Sequence, residues 1–229
     1  MMRAWGNRAD TVVVDEPFYA VYLAATKLAH PGAEEIIAAG ETDAAKVIQE
    51  LTDTPLPPGR HVQYQKQMTH HLLPSIDRRW LARVHNCFLL REPAEVIASY
   101  LRKNGEPVAE DLGFIQQAEI FDFVCAESGK IPPVIDAADV LADPEKTLRL
   151  LCGALSVPWT DAMLSWPPGL RATDGVWAKH WYREVQNSTG FAPPRGEVAK
   201  VPPRLGKVYE QCRESYERLR IHRLRADVG

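Results

Sequence analysis

Short apolar runs, typical of buried strands, alternate along this chain with segments whose apolar residues recur at helical spacing. Such alternation is typical of βαβ crossovers, in which helices join parallel strands and cover the sheet. Four runs are predicted strands, at residues 11–14, 62–65, 87–90 and 133–135. Five segments are predicted helices, at residues 19–28, 43–51, 93–103, 114–127 and 144–155. The chain is therefore predicted to be an α/β protein with a mainly parallel sheet.

The sequence changes character after residue 157. Four of the six tryptophans stand there among prolines and glycines, at Trp159, Trp166, Trp177 and Trp181. The prolines and glycines predict a loop-rich cap with one short helix over residues 157–200. Long loops of this kind commonly serve as functional lids. Apolar residues at helical spacing return at the end of the chain and predict an amphipathic helix over residues 202–226. A length of 229 residues fits a single domain.

The composition limits the partners of the chain. Its formal net charge of -3 gives no general attraction to nucleic acid or to anionic membranes. No apolar run approaches the roughly 18 residues of a membrane span, and the first residues do not form a signal peptide. The four cysteines are widely spaced, which predicts buried thiols instead of a disulfide framework. We expect a cytoplasmic protein that binds a small molecule and no nucleic acid; the sequence does not indicate its oligomeric state.

An arginine stands at the end of the third predicted strand. Arg91 follows Leu90, and Pro93 suits the first turn of the next helix, where a missing N–H costs nothing. Ligands of parallel sheets gather at the carboxyl ends of the strands, and Ser99 lies about two helical turns beyond Arg91. An arginine and a hydroxyl at such positions can bind one anion from two sides. An arginine that only caps the strand edge is the alternative.

The segment from Phe88 to Tyr100, FLLREPAEVIASY, resembles the sulfotransferase element that binds the 3′-phosphate of 3′-phosphoadenosine 5′-phosphosulfate. By this likeness the chain is identified as a member of the sulfotransferase family. The resemblance implies a three-layer fold similar to the P-loop nucleoside triphosphate hydrolases, with the sulfate donor as co-substrate and no metal. It also implies transfer of a sulfuryl group to an alcohol, with Arg91 and Ser99 as ligands of the donor's 3′-phosphate.

A second likeness lies in Asp15-Glu16-Pro17, which the first predicted strand brings to the same edge of the sheet. These residues resemble the E-P-F segment of some bacterial sulfotransferases, which implies that Glu16 is the general base for the acceptor hydroxyl. Such a base needs hydrogen-bond reach more than an unusual pKa. The alternative is that Glu16 caps the helix that begins after Pro17.

The segment after the second predicted strand, from Gln65 to Pro74, is similar to the K-x-H-x-P region of the family. The likeness implies that Lys66 supports the sulfonate and that a histidine is the base. The spacing is longer here than in the family, so His70 and His71 are both candidates. A metal site is disfavoured, because no third ligand stands at H-E-x-x-H spacing. A surface or capping pair of histidines is the alternative.

A fourth likeness is in the cap, where residues 170–181, LRATDGVWAKHW, resemble the family's C-terminal loop with R-K-G and a downstream G-x-W. That loop closes over the donor's 3′-phosphate. Arg171 matches in place, whereas Ala172 and Thr173 stand where Lys-Gly is expected. The resemblance implies Arg171 and Trp177 as donor ligands; Trp177 lining the acceptor pocket and Trp177 packing the cap are the alternatives.

The first residues predict the last turns of a helix that runs into a strand. P-loop proteins have a strand and a glycine-rich phosphate loop before such a helix, and the 229 residues contain no such loop. We expect Met1 to be an internal methionine of a longer protein, which the upstream reading frame tests, and we expect weak or absent catalysis from these residues alone. A nucleotide-dependent kinase or hydrolase of the P-loop class, or a non-catalytic binding protein, are the alternative functions.

Overall fold

A computed structural model describes residues 1–102, 105–194 and 199–225. Their strands are β1 (Thr11–Asp15), β2 (Val62–Lys66), β3 (Phe88–Leu90) and β4 (Val134–Asp136). Their helices are α1 (Met2–Gly6), α2 (Tyr19–Thr26), α3 (Ala33–Ala39), α4 (Ala44–Asp53), α5 (Pro93–Leu101), α6 (Phe114–Ser128), α7 (Ala137–Ala142), α8 (Pro144–Ala154), α9 (Ala178–Trp181), α10 (Arg183–Asn187) and α11 (Gly206–Arg220). The chain divides into two compact units, Met1–Trp80 with Thr160–Phe191 and Leu81–Trp159 with Ala192–Gly229.

The first unit contains the parallel pair of β1 and β2. Their register runs from Thr11 opposite Val62 to Asp15 opposite Lys66. Trp5 of α1 stacks on Tyr64 of β2, with ring centroids 5.4 Å apart, so α1 covers part of the pair. The two strands end side by side, which places the residues at their carboxyl ends next to each other.

Helices α2 and α3 pack together in the first unit around one apolar cluster. Its buried members are Tyr19, Ala20, Tyr22, Leu23 and Ile36. The chain approaches itself closely at the end of α3, where a Cβ placed on Gly40 would lie 2.6 Å from the Cβ of Ala20. Only glycine fits there without displacing α2.

The second unit contains the parallel pair of β3 and β4, whose register runs from Phe88 opposite Val134 to Leu90 opposite Asp136. Leu90, Leu148 and Leu151 are fully buried in its core. Complete burial of such a side chain stabilises the fold by about 1.5–3 kcal/mol. Helix α8 begins with Pro144 in its first turn, and the side chain of Asp143 accepts the Lys146 N–H at 3.0 Å, which explains the start of this helix.

The predicted α/β architecture is confirmed, since all four predicted strands form and both pairs are parallel. The five predicted helices form as α2, α4, α5, α6 and α8, although the end predicted for α5 at residue 103 lies outside the described residues. Across the described ranges, no helix is both long and apolar enough to cross a membrane. The single domain and the three-layer arrangement stay predictions.

Some helices differ from the prediction. The cap contains two short helices, α9 and α10, and the helices α3 and α7 were not predicted, because each is too short to show a clear periodicity. Helix α11 is shorter than residues 202–226 at both ends. Two prolines and a 3₁₀ turn, Pro203–Leu205, precede it, and after it the Leu224 N–H donates to the Val134 carbonyl at 2.8 Å, so the chain leaves the helix to join β4. Residue 226 lies outside the described residues.

The four cysteines are all free thiols. Cys152 and Cys212 are buried, as predicted. Cys125 is only partly buried. Cys87 directly precedes β3 and is exposed as a residue, but burial of its sulfur raises the pKa of the thiol to about 11.

Candidate functional site

The carboxyl ends of β1 and β2 bring two predicted site residues together. Asp15 and Lys66 are opposite each other, and the N–H of Glu16 donates to the Lys66 carbonyl at 2.9 Å. The ammonium group of Lys66 forms an ion pair with the carboxylate of Glu16 and lies 3.4 Å from that of Asp15. Glu16 and Lys66, which were predicted from separate motifs, are direct neighbours.

Tyr182, which follows α9, completes this group. Its hydroxyl lies 2.6 Å from Nζ of Lys66 and 2.7 and 2.8 Å from the two carboxylate oxygens of Asp15. The distance from the same hydroxyl to Oε1 of Glu16 is longer, 3.4 Å. We refer to Asp15, Glu16, Lys66 and Tyr182 as the carboxylate–lysine cluster.

Burial decides the protonation of this cluster. It raises the pKa of Glu16, although the positive charge of Lys66 acts in the opposite direction. Burial alone would lower the pKa of Lys66, but the charges of Glu16 and Asp15 outweigh it and raise that pKa. Burial also raises the pKa of the Tyr182 phenol. At neutral pH the cluster therefore holds a charged lysine, a neutral phenol and a glutamate that binds a proton more readily than usual.

The backbone of Glu16 is strained. Its φ of 43° lies in the left-handed region, which residues other than glycine rarely adopt and which costs about 1–3 kcal/mol. The Glu16 carbonyl accepts the Tyr19 N–H at 3.0 Å, whereas no side chain caps the start of α2. The Glu16 side chain is thus directed to Lys66 and does not cap the helix. Strain of this kind is typical of functional sites.

His70 and His71 lie in the 3₁₀ turn Thr69–His71, which follows β2. The buried His71 ring stacks on Tyr19 and Tyr22, with centroid distances of 4.5 and 4.8 Å. Its Nδ1 atom is buried and has no hydrogen-bond partner in the described part of the chain. Burial lowers the pKa of His71 well below its ordinary value, and the charges of His70 and Lys66 act in the same direction, so His71 is neutral at pH 7. Among the described residues, no group of three or more side chains could hold a metal ion.

Trp177 packs on the helices of the first unit. Its ring meets Tyr19 edge to face at 5.3 Å, and its indole N–H donates to the Tyr182 hydroxyl at 3.4 Å. The ring lies directly over Gly175, where a Cβ would overlap the indole. Glycine two residues before the tryptophan therefore leaves room for the ring. The role of Trp177 as a donor ligand stays a prediction.

The substitution Gly175→Ala is expected to lower the free energy of unfolding by about 1–3 kcal/mol, because the indole of Trp177 must leave its packed position. Urea unfolding followed by tryptophan fluorescence measures this loss. Gly153→Ala is the control, since a Cβ at Gly153 meets nothing within 4 Å and alanine is the better helix former. Equal losses in the two variants would contradict the packing role of Gly175.

Arg171, a predicted donor ligand, lies in a loop anchored by a buried ion pair. Arg3 of α1 donates from its two terminal nitrogens to Asp174, at 2.7 and 2.8 Å. The backbone N–H of Arg171 donates to the same carboxylate at 2.9 Å, and its guanidinium donates to the Gly6 carbonyl at 3.4 Å. Nη2 of Arg171 is buried and has no hydrogen-bond partner in the described part of the chain, so it can donate to an anion.

Arg91 and Ser99, the other predicted donor ligands, belong to the second unit. Arg91 follows β3 and pairs with Glu95 one helical turn ahead, at 3.0 Å from Nε to Oε2. Ser99 lies further along α5 and is partly buried. A phosphate that binds Arg91 must therefore compete with the carboxylate of Glu95.

Some functional candidates were missed in the sequence. Asp15 stands beside Glu16 and could have been included with it, because it ends the same strand. Tyr182 belongs to no recognised motif and is separated from Lys66 by 116 positions. A similar contact occurs in the second unit, where the hydroxyl of Tyr216 donates to the buried carboxylate of Asp136 at 2.6 Å.

The fold and the carboxylate–lysine cluster define an α/β protein with a charged site at the carboxyl ends of parallel strands. A family model described as "Sulfotransferase domain" matches residues 1–205, so the chain belongs to the sulfotransferase domain family. The predicted family is thereby confirmed.

Two curated proteins of Arabidopsis thaliana are similar to nearly the whole chain. They are called branched-chain-amino-acid aminotransferase-like protein 1 and protein 2, and they are 32% and 30% identical to this chain over 222 residues. The match covers 97% of this chain and 39% of each relative, so the chain spans about two fifths of their length.

Two solved structures are also similar. The sulfotransferase domain from the curacin biosynthetic pathway is 17% identical, with a TM-score of 0.48 over 87% of this chain and 78% of that domain. The sulfotransferase domain from the Synechococcus PCC 7002 olefin synthase is 16% identical, with a TM-score of 0.45 over 87% of this chain and 74% of that domain. These superpositions are loose, and the family assignment rests on the sequence match.

Proposed function

We propose that this domain transfers a sulfuryl group from 3′-phosphoadenosine 5′-phosphosulfate to the hydroxyl of a small molecule. The observation that carries the proposal is the ion pair of Lys66 with Glu16 at the carboxyl ends of β1 and β2. A cation for the sulfonate and a carboxylate for the acceptor proton stand side by side there. A cytoplasmic location and a small-molecule acceptor are part of the same proposal.

Sulfuryl transfer needs in-line positioning and neutralisation of charge more than covalent help from the protein. The acceptor oxygen forms a bond to sulfur while the bond from sulfur to the phosphate oxygen breaks, which releases adenosine 3′,5′-bisphosphate. Lys66 turns from Glu16 to the sulfonate oxygens, and Glu16 takes the acceptor proton. Its raised pKa suits this task, because a general base works best with a pKa near the operating pH.

His71 is the alternative base. It is neutral, and its Nδ1 atom has no hydrogen-bond partner among the described residues, so it can accept a proton. Its ring, however, is stacked between tyrosines and serves the packing of α2. We therefore favour Glu16 and expect Glu16→Gln to lower the transfer rate more than His71→Gln.

The 3′-phosphate end of the donor is proposed to bind Arg91 and Ser99. Arg91→Ala is expected to weaken the binding of adenosine 3′,5′-bisphosphate by about tenfold to a hundredfold, because a charge-assisted hydrogen bond contributes about 1.5–3 kcal/mol. Isothermal titration calorimetry measures the change. Arg149→Ala is the control, since Arg149 makes an exposed ion pair of the same i,i+4 spacing with Glu145. Unchanged affinity in Arg91→Ala would show that Arg91 is no ligand.

The function as a whole is tested by comparing two nucleotides. Calorimetry with adenosine 3′,5′-bisphosphate and with ATP plus Mg²⁺ is carried out on this chain and on the chain extended upstream in its reading frame. Tight binding of the bisphosphate alone supports the sulfotransferase. A preference for ATP would favour a kinase or hydrolase of the P-loop class, and binding of neither nucleotide would favour a non-catalytic protein.

A further inference from the structure

Tyr182 has a place in the carboxylate–lysine cluster that no motif indicates. Its side chain is 6% exposed, and its hydroxyl lies within 2.8 Å of both oxygens of Asp15 and of Nζ of Lys66. A phenol has one hydrogen to donate and can also accept. With an ammonium group on one side and a carboxylate on the other, the phenol accepts from Lys66 and donates to Asp15.

This arrangement gives each of the two carboxylates, Asp15 and Glu16, a different main hydrogen-bond partner. Asp15 receives the phenol, whereas Glu16 lies 3.4 Å from the same hydroxyl and has Lys66 as its closer partner. Without the phenol, Lys66 would be the main partner of both carboxylates, because its ammonium group already lies 3.4 Å from Asp15. The hydrogen bond from Tyr182 to Asp15 therefore allows Lys66 to pair mainly with Glu16.

The segment that carries Tyr182 packs on helices α2 and α3 of the first unit at several points. Trp177 packs on Tyr19, and Lys179 forms an ion pair with Glu35 of α3. A Cβ on Gly32 would lie 2.9 Å from Nε2 of His180, so this side chain rests on the start of α3. The position of the phenol is thus set by the seating of residues 175–182 on α2 and α3.

We propose that Tyr182 is a positioning residue, which acts through Asp15 and Lys66 to keep Glu16 in place as the proton acceptor. The inference rests on the proposed function, since it assigns Tyr182 to the site where that reaction takes place. It also makes the charge of Glu16 depend on the cap segment 175–182. A cap that lifts away removes the phenol from Asp15 and draws Lys66 from Glu16.

The pH at which the Glu16 carboxyl titrates depends on this arrangement and can be measured. In the structure its surroundings contain charged or titratable groups from four directions: Asp15 on β1, Lys66 on β2, Tyr182 after α9 and Tyr19 on α2. Lys66 also acts on groups outside these four, since its charge lowers the pKa of His71, together with His70 and His30, and the pKa of the Met1 amino group. Only the Tyr182 contact is removed by Tyr182→Phe.

The experiment is an NMR titration of the Glu16 side-chain carboxyl carbon, assigned by its loss in Glu16→Gln. We expect Tyr182→Phe to raise the titration midpoint by about one pH unit, because Lys66 is then drawn toward Asp15 and stabilises the charged form of Glu16 less. The control Tyr216→Phe removes the 2.6 Å tyrosine–aspartate bond of the second unit and should leave the midpoint unchanged. An unchanged midpoint in Tyr182→Phe would overturn the inference.

Asp15→Asn tests whether Tyr182 acts through Asp15. In that background Tyr182→Phe should shift the Glu16 midpoint much less, because Glu16 is then the only carboxylate of the cluster that can form an ion pair with Lys66. Equal shifts in both backgrounds would show a direct action on Glu16 and overturn the proposed route. If Tyr182→Phe does not fold, Gly175→Ala decides: its Cβ displaces the Trp177 ring that holds the cap segment, so the Glu16 midpoint should rise, and an unchanged midpoint would overturn the inference.

The titration needs neither donor nor acceptor, so it separates this inference from the proposed function. Failure of the chain to bind adenosine 3′,5′-bisphosphate would refute the sulfotransferase and leave the titration result standing. Where transfer is measured, the acid limb of the pH profile should move to higher pH in Tyr182→Phe, because a base must be deprotonated to accept the acceptor proton. A variant that is only less stable would keep the midpoint and the acid limb of the parent protein.

Discussion

Lys66→Met is expected to lower the free energy of unfolding by about 3–5 kcal/mol, because it leaves the buried carboxylates of Asp15 and Glu16 without their cation. Their side chains are 0% and 10% exposed, and that of Lys66 is 27% exposed, so water does little to replace it. Urea unfolding at pH 7 measures the loss. Lys179→Met is the control, since Lys179 and Glu35 form an exposed ion pair, which contributes at most about 1 kcal/mol.

The loss in Lys66→Met should depend on pH. Glu16 already has a pKa above that of an unfolded glutamate, so the folded state holds more protons than the unfolded state between the two values. Stability from this group therefore falls as pH rises through that range, and removal of Lys66 widens the range. We expect a small loss near pH 4 and a larger loss at pH 7. Similar losses in Lys66→Met and Lys179→Met at pH 7 would contradict a buried, coupled cluster.

Asp174→Asn is expected to lower the free energy of unfolding by a similar amount, about 3–5 kcal/mol, because the guanidinium of Arg3 is left buried without its counter-charge. The two side chains are 4% and 2% exposed. Asp77→Asn is the matched control: Arg79 also binds this aspartate through two nitrogens, but the two side chains are 80% and 52% exposed. Thermal unfolding of both variants should show a large shift only for Asp174→Asn.

Asp174 also holds the cap loop, since its carboxylate accepts the backbone N–H of Arg171. Hydrogen exchange in residues 169–174 should therefore rise in Asp174→Asn before the whole unit unfolds. Uniform loss of protection throughout the first unit, with no earlier change in the loop, would show that the ion pair stabilises the unit as a whole instead of the loop.

The strands were predictable because a strand leaves a local pattern of residue types in a few consecutive positions. Thr11–Asp15 contains three consecutive valines, and in Val62–Lys66 a valine and a tyrosine alternate with polar residues; both patterns are typical of strands. The meeting of Glu16 and Lys66 followed from the rule that parallel strands end at one edge of a sheet. Helix α3, in contrast, is only seven residues long and gave no clear period.

Tyr182 could not be predicted, because its position depends on contacts between residues far apart in the chain. The cap has little regular structure, so no period relates its side chains to the strands. Gly175 illustrates the same limit: the sequence shows a glycine two residues before Trp177, but only the packed ring explains why glycine is needed there. The roles of Arg91, Ser99, Arg171 and Trp177 as donor ligands stay predictions.

The order of synthesis gives the phenol contacts a further consequence. Tyr182 follows its partner Asp15 by 167 residues, and Tyr216 follows Asp136 by 80. At about 5–20 residues per second, Asp15 is made roughly 8 to 33 seconds before the phenol that it binds. During that time the ribosome-bound chain can pair β1 with β2 and bring Lys66 to the carboxylates, but Asp15 still lacks the phenol that donates to it. The polar edge of each strand pair is completed by residues made later, and the cap segment is among the last parts of the first unit to be made.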